Sequence, residues 1–171
     1  MPQTIHNHFL KMPNCTKVVV TDSAAVPNGK LNNVSGPLDF CKGHLLGKGI
    51  NNQAALNRQP CGYDHPFYVK GWMPGNLKQL HNATVSSSAT GLTMSVYSTF
   101  PSIWVYSANN MPANASGERG ERFVRYGAVC LEPQNLPDSI NQPSFPQSIV
   151  RKGKPYHEEI TNVFTVSTSK M

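Results

Sequence analysis

Residues 91–110, GLTMSVYSTFPSIWVYSANN, carry the clearest structural pattern in the chain. Between residues 92 and 96, apolar and hydroxyl side chains alternate strictly. Further along, Ile103 and Val105 fall on one side of the chain, whereas Trp104 and Tyr106 fall on the other. Because successive side chains of a β-strand point to opposite faces, this period of two predicts two strands, the first with one packed face and one polar face.

Short segments with the same character occur along the rest of the chain. Residues 17–21 are rich in β-branched side chains and are predicted to form a strand, as are residues 67–70 and 163–167. Residues 26–30 have turn chemistry, with Gly29 available for a positive φ. Helical signals are scarce, with one helical turn expected around residues 54–57 inside a Gly- and Asn-rich stretch. The pattern predicts an all-β, mostly antiparallel fold.

Composition limits the class of protein. A chain of 171 residues with 39% hydrophobic content can bury a core and is expected to form one domain, residues 1–171. The net charge of +6 is spread along the chain, and the short basic group at residues 151–154 is expected to be a solvated turn, so nucleic acid is not expected as a partner. The four cysteines lack the spacing of a metal site, and neither a metal nor another cofactor is expected.

The expected location is cytoplasmic. The first residues contain no apolar run long enough for a signal peptide, and no window approaches the ~20 apolar residues that cross a bilayer, so no membrane contact is expected. The chain ends in Ser169, Lys170 and Met171, which resembles the Ser-Lys-Leu peroxisomal signal with a different last residue. A peroxisomal location is therefore the lesser alternative.

Residues 127–146, GAVCLEPQNLPDSINQPSFP, combine a strand with a proline-rich turn. Val129 and Leu131 alternate with Cys130 and Glu132, and four prolines then prevent any regular continuation. Glu132 therefore lies at the end of a strand, next to a stiff loop. A glutamate in this position is ordinarily a solvated surface residue, but the surrounding motif indicates a functional role.

Residues 62–67, 91–110, 131–146 and 151–164 together resemble the carboxy-terminal half of the aldose 1-epimerases, also called galactose mutarotases. The segment 131–146 is similar to the glutamate-bearing motif of that family, with Pro133 in place of the usual Thr. The resemblance implies a galactose mutarotase-like β supersandwich, of which this chain is a partial domain lacking the amino-terminal part. Uncovered apolar faces are then expected. The candidates are the strand 17–21 and the faces that carry Ile103 with Val105 or Leu92 with Met94 and Val96.

The resemblance also implies a reaction and a site. Family members interconvert the α and β anomers of aldohexoses such as galactose or glucose, using a general base and a general acid to open the ring. Glu132 matches the base, and Asp64 matches a substrate-binding aspartate. Trp104 stands where many relatives have a sugar-contacting Gln; either it contacts the sugar, or it packs between the sheets.

The resemblance implies that the family's acid, a histidine, belongs to a motif expected upstream of residue 1. His8 is a weaker candidate for this role, since a lone histidine is more often structural. Two function classes stay open: an isomerase whose activity is impaired, and a non-catalytic carbohydrate-binding or remnant protein. The expected partners are an aldohexose and either a complementing amino-terminal half or a second copy of the chain.

Overall fold

The computed structural model describes residues 4–22, 26–52, 56, 60–112, 115–147 and 149–167. Across these ranges the chain forms ten strands, three short 3-10 helices and one four-residue α-helix. The strands are β1 (His8–Lys11), β2 (Lys17–Thr21), β3 (Pro27–Asn33), β4 (His44–Leu45), β5 (Asp64–Tyr68), β6 (Leu80–Ser87), β7 (Leu92–Ser98), β8 (Ser102–Tyr106), β9 (Cys130–Gln134) and β10 (Ile160–Val166). The α-helix is α1 (Gly47–Ile50), and the 3-10 helices are Ile5–Asn7, Gly36–Leu38 and Ser139–Asn141. The all-β prediction is confirmed.

The strands form two antiparallel five-stranded sheets. The first sheet has the order β10-β7-β6-β1-β4, and the second has the order β3-β2-β5-β8-β9. No described helix is both long and apolar enough to span a lipid bilayer.

The main core lies between the two sheets. The second sheet contributes Phe67, Ile103 and Val105, and the first contributes Leu10 and Val96, all at most 1% exposed. Trp104 and Tyr106 on the same strand are only half-buried, because they point to the opposite face. The alternation predicted for residues 103–106 is therefore confirmed.

A second, smaller apolar cluster covers part of the outer face of the second sheet. After β9 the chain crosses over β2 and β3, and Leu136 and Phe145 pack against Val19. The side-chain amide of Gln142 donates a hydrogen bond to the carbonyl of Pro27 at 3.1 Å. This crossing segment, residues 136–145, covers the β2–β3 side of the outer face and reaches Tyr68 at the end of β5, whereas β8, β9 and the start of β5 lie outside this cluster.

Several predicted boundaries differ from the observed ones. Residues 26–30, predicted as a turn, lie largely in β3, whose Gly29 has a φ of +80° and faces Gln142 of the crossing segment. Strand β6 was not predicted, because a register shift between His81 and Ala83 interrupts its alternation. The helical turn expected around residues 54–57 lies largely outside the described residues, and α1 is found further upstream.

Uncovered apolar surface occurs, but not at all of the predicted positions. Ile103 and Val105 are fully buried, and Val18 and Val19 of β2 are less than 10% exposed, so those two expectations are wrong. Of the third candidate face, Leu92 is exposed, whereas Val96 is buried in the core. All seven residues of the edge strand β10 are exposed, including Phe164 at 61%. With Leu92, Met94 and His8, Phe164 lines a groove of about 310 Å³ on the first sheet. The edge strand β10, which pairs with β7, is thus exposed along its whole length.

Candidate active site

The outer face of β5, β8 and β9 holds an open cleft of about 380 Å³, within the ~300–1,000 Å³ range common for ligand sites. Asp64, Trp104 and Glu132, the three residues singled out in the sequence, all line it. The structure therefore brings together side chains that are 40 and 28 positions apart in the chain. The complete lining is Asp64, Trp104, Tyr106, Asn110, Glu132 and Gln134.

Strand register explains this grouping. On one side of β8, Trp104 lies directly opposite Glu132 of β9. On the other side, β5 pairs with β8 so that Asp64 lies opposite Tyr106. Since directly opposed residues of antiparallel strands place their side chains on the same face about 5 Å apart, the central strand carries Trp104 between the two carboxylates.

Trp104 contacts Asp64 directly. Its indole Nε1–H donates a hydrogen bond of 2.7 Å to Oδ1 of Asp64. The ring is half-buried on the open face, while its neighbours Ile103 and Val105 fill the core. Of the two alternatives left open by the sequence, packing between the sheets is therefore wrong.

The backbone around Asp64 is fixed from the buried side. The amide of Asp64 donates to Nδ1 of His65 at 2.9 Å, so that ring nitrogen carries no proton in this arrangement. The amide of Tyr63 donates to Oγ of Ser107 at 2.8 Å, and the amide of Ser107 donates back to the carbonyl of Tyr63 at 3.0 Å. These bonds hold the start of β5 against the end of β8.

Three lining residues were missed by the sequence reasoning. Tyr106 and Gln134 each lie two positions beyond a predicted site residue, on the same face of the same strand, so the two-residue period could have identified them. Asn110 follows β8 in a loop, where its backbone amide donates to the hydroxyl of Tyr106 at 3.0 Å. No local pattern signals a contact of this kind.

Glu132 also acts on its surroundings electrostatically. It is exposed and lies at the centre of the edge strand β9. The prediction that it ends a strand is wrong, because Pro133 still pairs with Ile103 and β9 continues to Gln134. The pKa of the nearby Cys130 thiol is raised, mainly by partial burial and further by the negative charge of Glu132. Two carboxylates thus face a lining that, among the described residues, contains no Lys or Arg.

The structure does not bring His8 to the cleft. His8 lies in β1 of the other sheet, in the groove beside Phe164, and partial burial lowers its pKa. His65, next to Asp64 in sequence, points to the core side and is 7% exposed. No histidine lines the cleft within the residues that the structure describes. In the same part of the chain, no three His, Cys, Asp or Glu side chains cluster as a metal would require.

The chain is similar to proteins of one family. The family model of aldose 1-epimerase matches residues 1–161. Galactose mutarotase from Homo sapiens is 33% identical over 165 residues, which cover 95% of this chain and 45% of the relative. Aldose 1-epimerase from Escherichia coli (strain K12) is 29% identical over 156 residues, which cover 89% of this chain and 43% of the relative.

Solved structures have the same fold. A GalM/aldose epimerase homologue from C. elegans superposes with a TM-score of 0.79 at 24% identity, covering 95% of this chain and 47% of the other. Galactose 1-epimerase from Lactobacillus acidophilus NCFM gives a TM-score of 0.63 at 22% identity, covering 95% and 44%. The chain spans about half the length of these relatives, and the match to the family model over nearly its whole length shows that it belongs to the aldose 1-epimerase family.

Proposed function

We propose that the cleft binds an aldohexose and that Glu132 acts there as the general base of anomer interconversion. The observation that carries the proposal is the placement of Glu132 and Asp64 on either side of Trp104, on one open face. Pairing with β8 fixes the backbone of Glu132 opposite Trp104, so its carboxylate lies beside the face on which a substrate would have to bind to give up a proton. Membership of the family supports the same reaction.

The reaction needs two proton transfers. Glu132 takes the proton of the anomeric hydroxyl, while an acid gives a proton to the ring oxygen, and the bond between C1 and that oxygen breaks. The C1 aldehyde then rotates about the C1–C2 bond, and the reverse transfers close the ring on the other face. Asp64 accepts hydrogen bonds from sugar hydroxyls, and Trp104 contacts the sugar ring. Each positioned proton transfer typically contributes about 10²- to 10⁴-fold.

The described lining offers a base but no histidine as acid. We therefore propose that the 171-residue chain alone accelerates anomer exchange weakly or not at all. A complementing amino-terminal half would bring the second proton transfer and would also cover the groove beside β10. The alternative partner is a second copy of the chain, bound at the exposed edge strand β10. The cytoplasmic location stays a prediction; Ser169, Lys170 and Met171 lie outside the described residues.

A second candidate function is sugar binding without catalysis. It is favoured by the same absence of histidine from the described lining, because Asp64, Trp104 and Gln134 can bind hydroxyls and ring surface without any proton transfer. The two candidates predict similar sugar affinities and differ in the rate of anomer exchange.

Exchange spectroscopy by NMR measures both properties with the same sample. Resonances of α- and β-galactose are followed with and without the chain, and binding is detected by saturation transfer to the sugar. The key variant is Glu132→Gln, and the matched control is Glu118→Gln, the same change at an exposed residue outside the cleft lining. We expect sugar binding in all three proteins and any excess exchange rate to fall at least about 10²-fold only in Glu132→Gln.

The results have different meanings. Excess exchange in the unmodified chain that is lost in Glu132→Gln supports the isomerase, whereas binding without excess exchange fits both an isomerase that lacks its acid and a carbohydrate-binding protein. Excess exchange that survives Glu132→Gln would refute the role of Glu132. Absence of binding, together with no effect of Asp64→Ala on any sugar signal, would show that the cleft is not a sugar site.

A further inference from the structure

Trp104 occupies the centre of the cleft face. It lies on β8, the middle of the three strands, with Glu132 directly opposite on β9 and Asp64 within hydrogen-bond distance on β5. A sugar that reaches both carboxylates must therefore pass over the indole. The contact between Trp104 and this sugar depends on the orientation of the indole ring.

The hydrogen bond from Trp104 to Asp64 fixes the orientation of the indole ring. In the register of the two strands Asp64 is opposite Tyr106, so Trp104 reaches it diagonally, two positions along. To place Nε1 2.7 Å from Oδ1, the indole must lean along the face towards β5. A half-buried ring in this position can present a face to a ligand that spans the two carboxylates.

The same bond restrains Asp64. A hydrogen bond from an N–H to an ionised carboxylate is stronger than one between neutral groups, and it holds the acceptor in one orientation. The backbone of Asp64 is already fixed through His65, so Trp104 supplies a restraint on the side chain itself. Removing the indole N–H would therefore loosen the proposed sugar contact without removing any carboxylate.

A flat aromatic surface discriminates between pyranoses by the shape of their apolar faces. In galactose the axial hydroxyl at C4 projects from one face, and the hydrogens on C3, C4 and C5 form a continuous apolar patch on the other. In glucose the hydroxyl at C4 is equatorial, and its apolar hydrogens are divided between both faces. The galactose patch therefore matches an indole better than either face of glucose.

We propose that Trp104 is the specificity-determining residue of this cleft, and that it both positions Asp64 and selects galactose-type over glucose-type pyranoses. The inference rests on the proposed function, since it assumes that the cleft binds an aldohexose. Aromatic contacts of this kind are worth about 2- to 10-fold in affinity, which sets the expected preference for galactose.

The hydrogen bond can be observed without any sugar. The chain has two tryptophans, and the indole N–H of Trp72 donates to the carbonyl of Thr99 at 2.7 Å, which makes Trp72 an internal control. In a ¹H–¹⁵N NMR spectrum, Trp72→Phe assigns the two indole signals. We expect Asp64→Ala to shift the Trp104 signal and to leave the Trp72 signal unchanged. An unmoved Trp104 signal would overturn the positioning role.

The selectivity is tested by measuring the affinities for galactose and glucose. Each titration is followed by the backbone amide NMR signals of the protein. Trp104→Phe keeps a ring but loses the donor, so we expect both affinities to fall by about 3- to 10-fold with galactose still preferred. Trp104→Leu also removes the flat surface, and the ratio of the two affinities should approach one. Trp72→Phe, the same chemical change outside the cleft, should alter neither affinity.

The outcomes distinguish this inference from the proposed function. A galactose preference that persists in Trp104→Leu, or its absence from the unmodified chain while both sugars bind, overturns the selectivity and leaves the sugar site intact. No binding of either sugar by the unmodified chain overturns the proposed function and the selectivity with it. Since Trp104→Leu could disturb the fold, circular dichroism accompanies each titration, and Trp104→Phe provides the milder variant.

Discussion

Replacing Gly49 with alanine should lower the free energy of unfolding by about 2 kcal/mol. Gly49 lies buried in α1, against the side chain of Tyr63, which is fully buried. A Cβ at Gly49 would overlap the hydroxyl oxygen and Cζ of Tyr63 and would lie 2.9 Å from Cε1. The ring cannot turn out to solvent, so it must shift within a packed core.

The magnitude follows from three contributions. Overpacking in a filled core costs about 1–3 kcal/mol. The shift also breaks the hydrogen bond from the Tyr63 hydroxyl to the carbonyl of Pro37, 3.2 Å long, at a cost of about 1 kcal/mol. Alanine recovers up to about 1 kcal/mol relative to glycine in a helix. For a chain of this size, 2 kcal/mol corresponds to a fall in Tm of roughly 4–8 °C.

A double-mutant cycle in urea tests the cause. Tyr63→Phe removes the hydroxyl, so Gly49→Ala should cost about 1 kcal/mol less in that background than in the native chain. Gly75→Ala is the control, because Gly75 has a φ of +72° with no atom within 4 Å of its Cβ position, and its cost reports backbone strain alone. A loss below about 0.5 kcal/mol for Gly49→Ala, or additive effects within that error, would refute the overlap with Tyr63.

Three further outcomes are expected. Ser107→Ala leaves the buried amide of Tyr63 without its acceptor and should lower the free energy of unfolding, measured by urea denaturation, by about 1–3 kcal/mol. A loss below about 0.5 kcal/mol would contradict this expectation. The pKa of Asp138 is lowered, mainly by the hydrogen bond from Gln142, so this bond stabilises the crossing segment above the unfolded pKa of about 3.9 and is lost as the pH falls through the folded value. Amide signals of residues 139–145 should therefore change below about pH 4 in the native chain and not in Asp138→Asn; identical titrations would exclude Asp138 as the cause. Phe164→Lys, on the exposed strand β10, should reduce self-association in sedimentation velocity, and a native chain that is monomeric at every concentration contradicts that expectation.

The fold class could be predicted because it depends on local alternation. Asp64, Trp104 and Glu132 were proposed from the resemblance to the aldose 1-epimerases, and the structure places all three in one cleft, while their roles stay a prediction. The period of two on β8 separated Ile103 and Val105 from Trp104 correctly. The position of residues 136–145 could not be predicted, since Leu136 and Phe145 pack against Val19, more than a hundred positions away. The hydrogen bond between Trp104 and Asp64 likewise depends on strand register, which no single segment specifies.

The misplaced expectations have a similar origin. The sequence shows that strands 17–21 and 103–106 are apolar, but only the pairing of the sheets decides which apolar face is covered. β2 and β8 lie within the second sheet, whereas β10 lies at an edge of the first. An edge position, rather than the apolar content of a strand, leaves Phe164 in contact with solvent.

The alternation on β8 affects how the protein can evolve. Ile103 and Val105 contribute to stability, and Trp104 contributes to the cleft, although all three belong to the same five-residue strand. Substitutions at the outward positions need not disturb the inward ones, so new ligand preferences can arise without repacking the interior. A combinatorial library that randomises position 104 should therefore contain many folded members, whereas one that randomises position 105 should contain few.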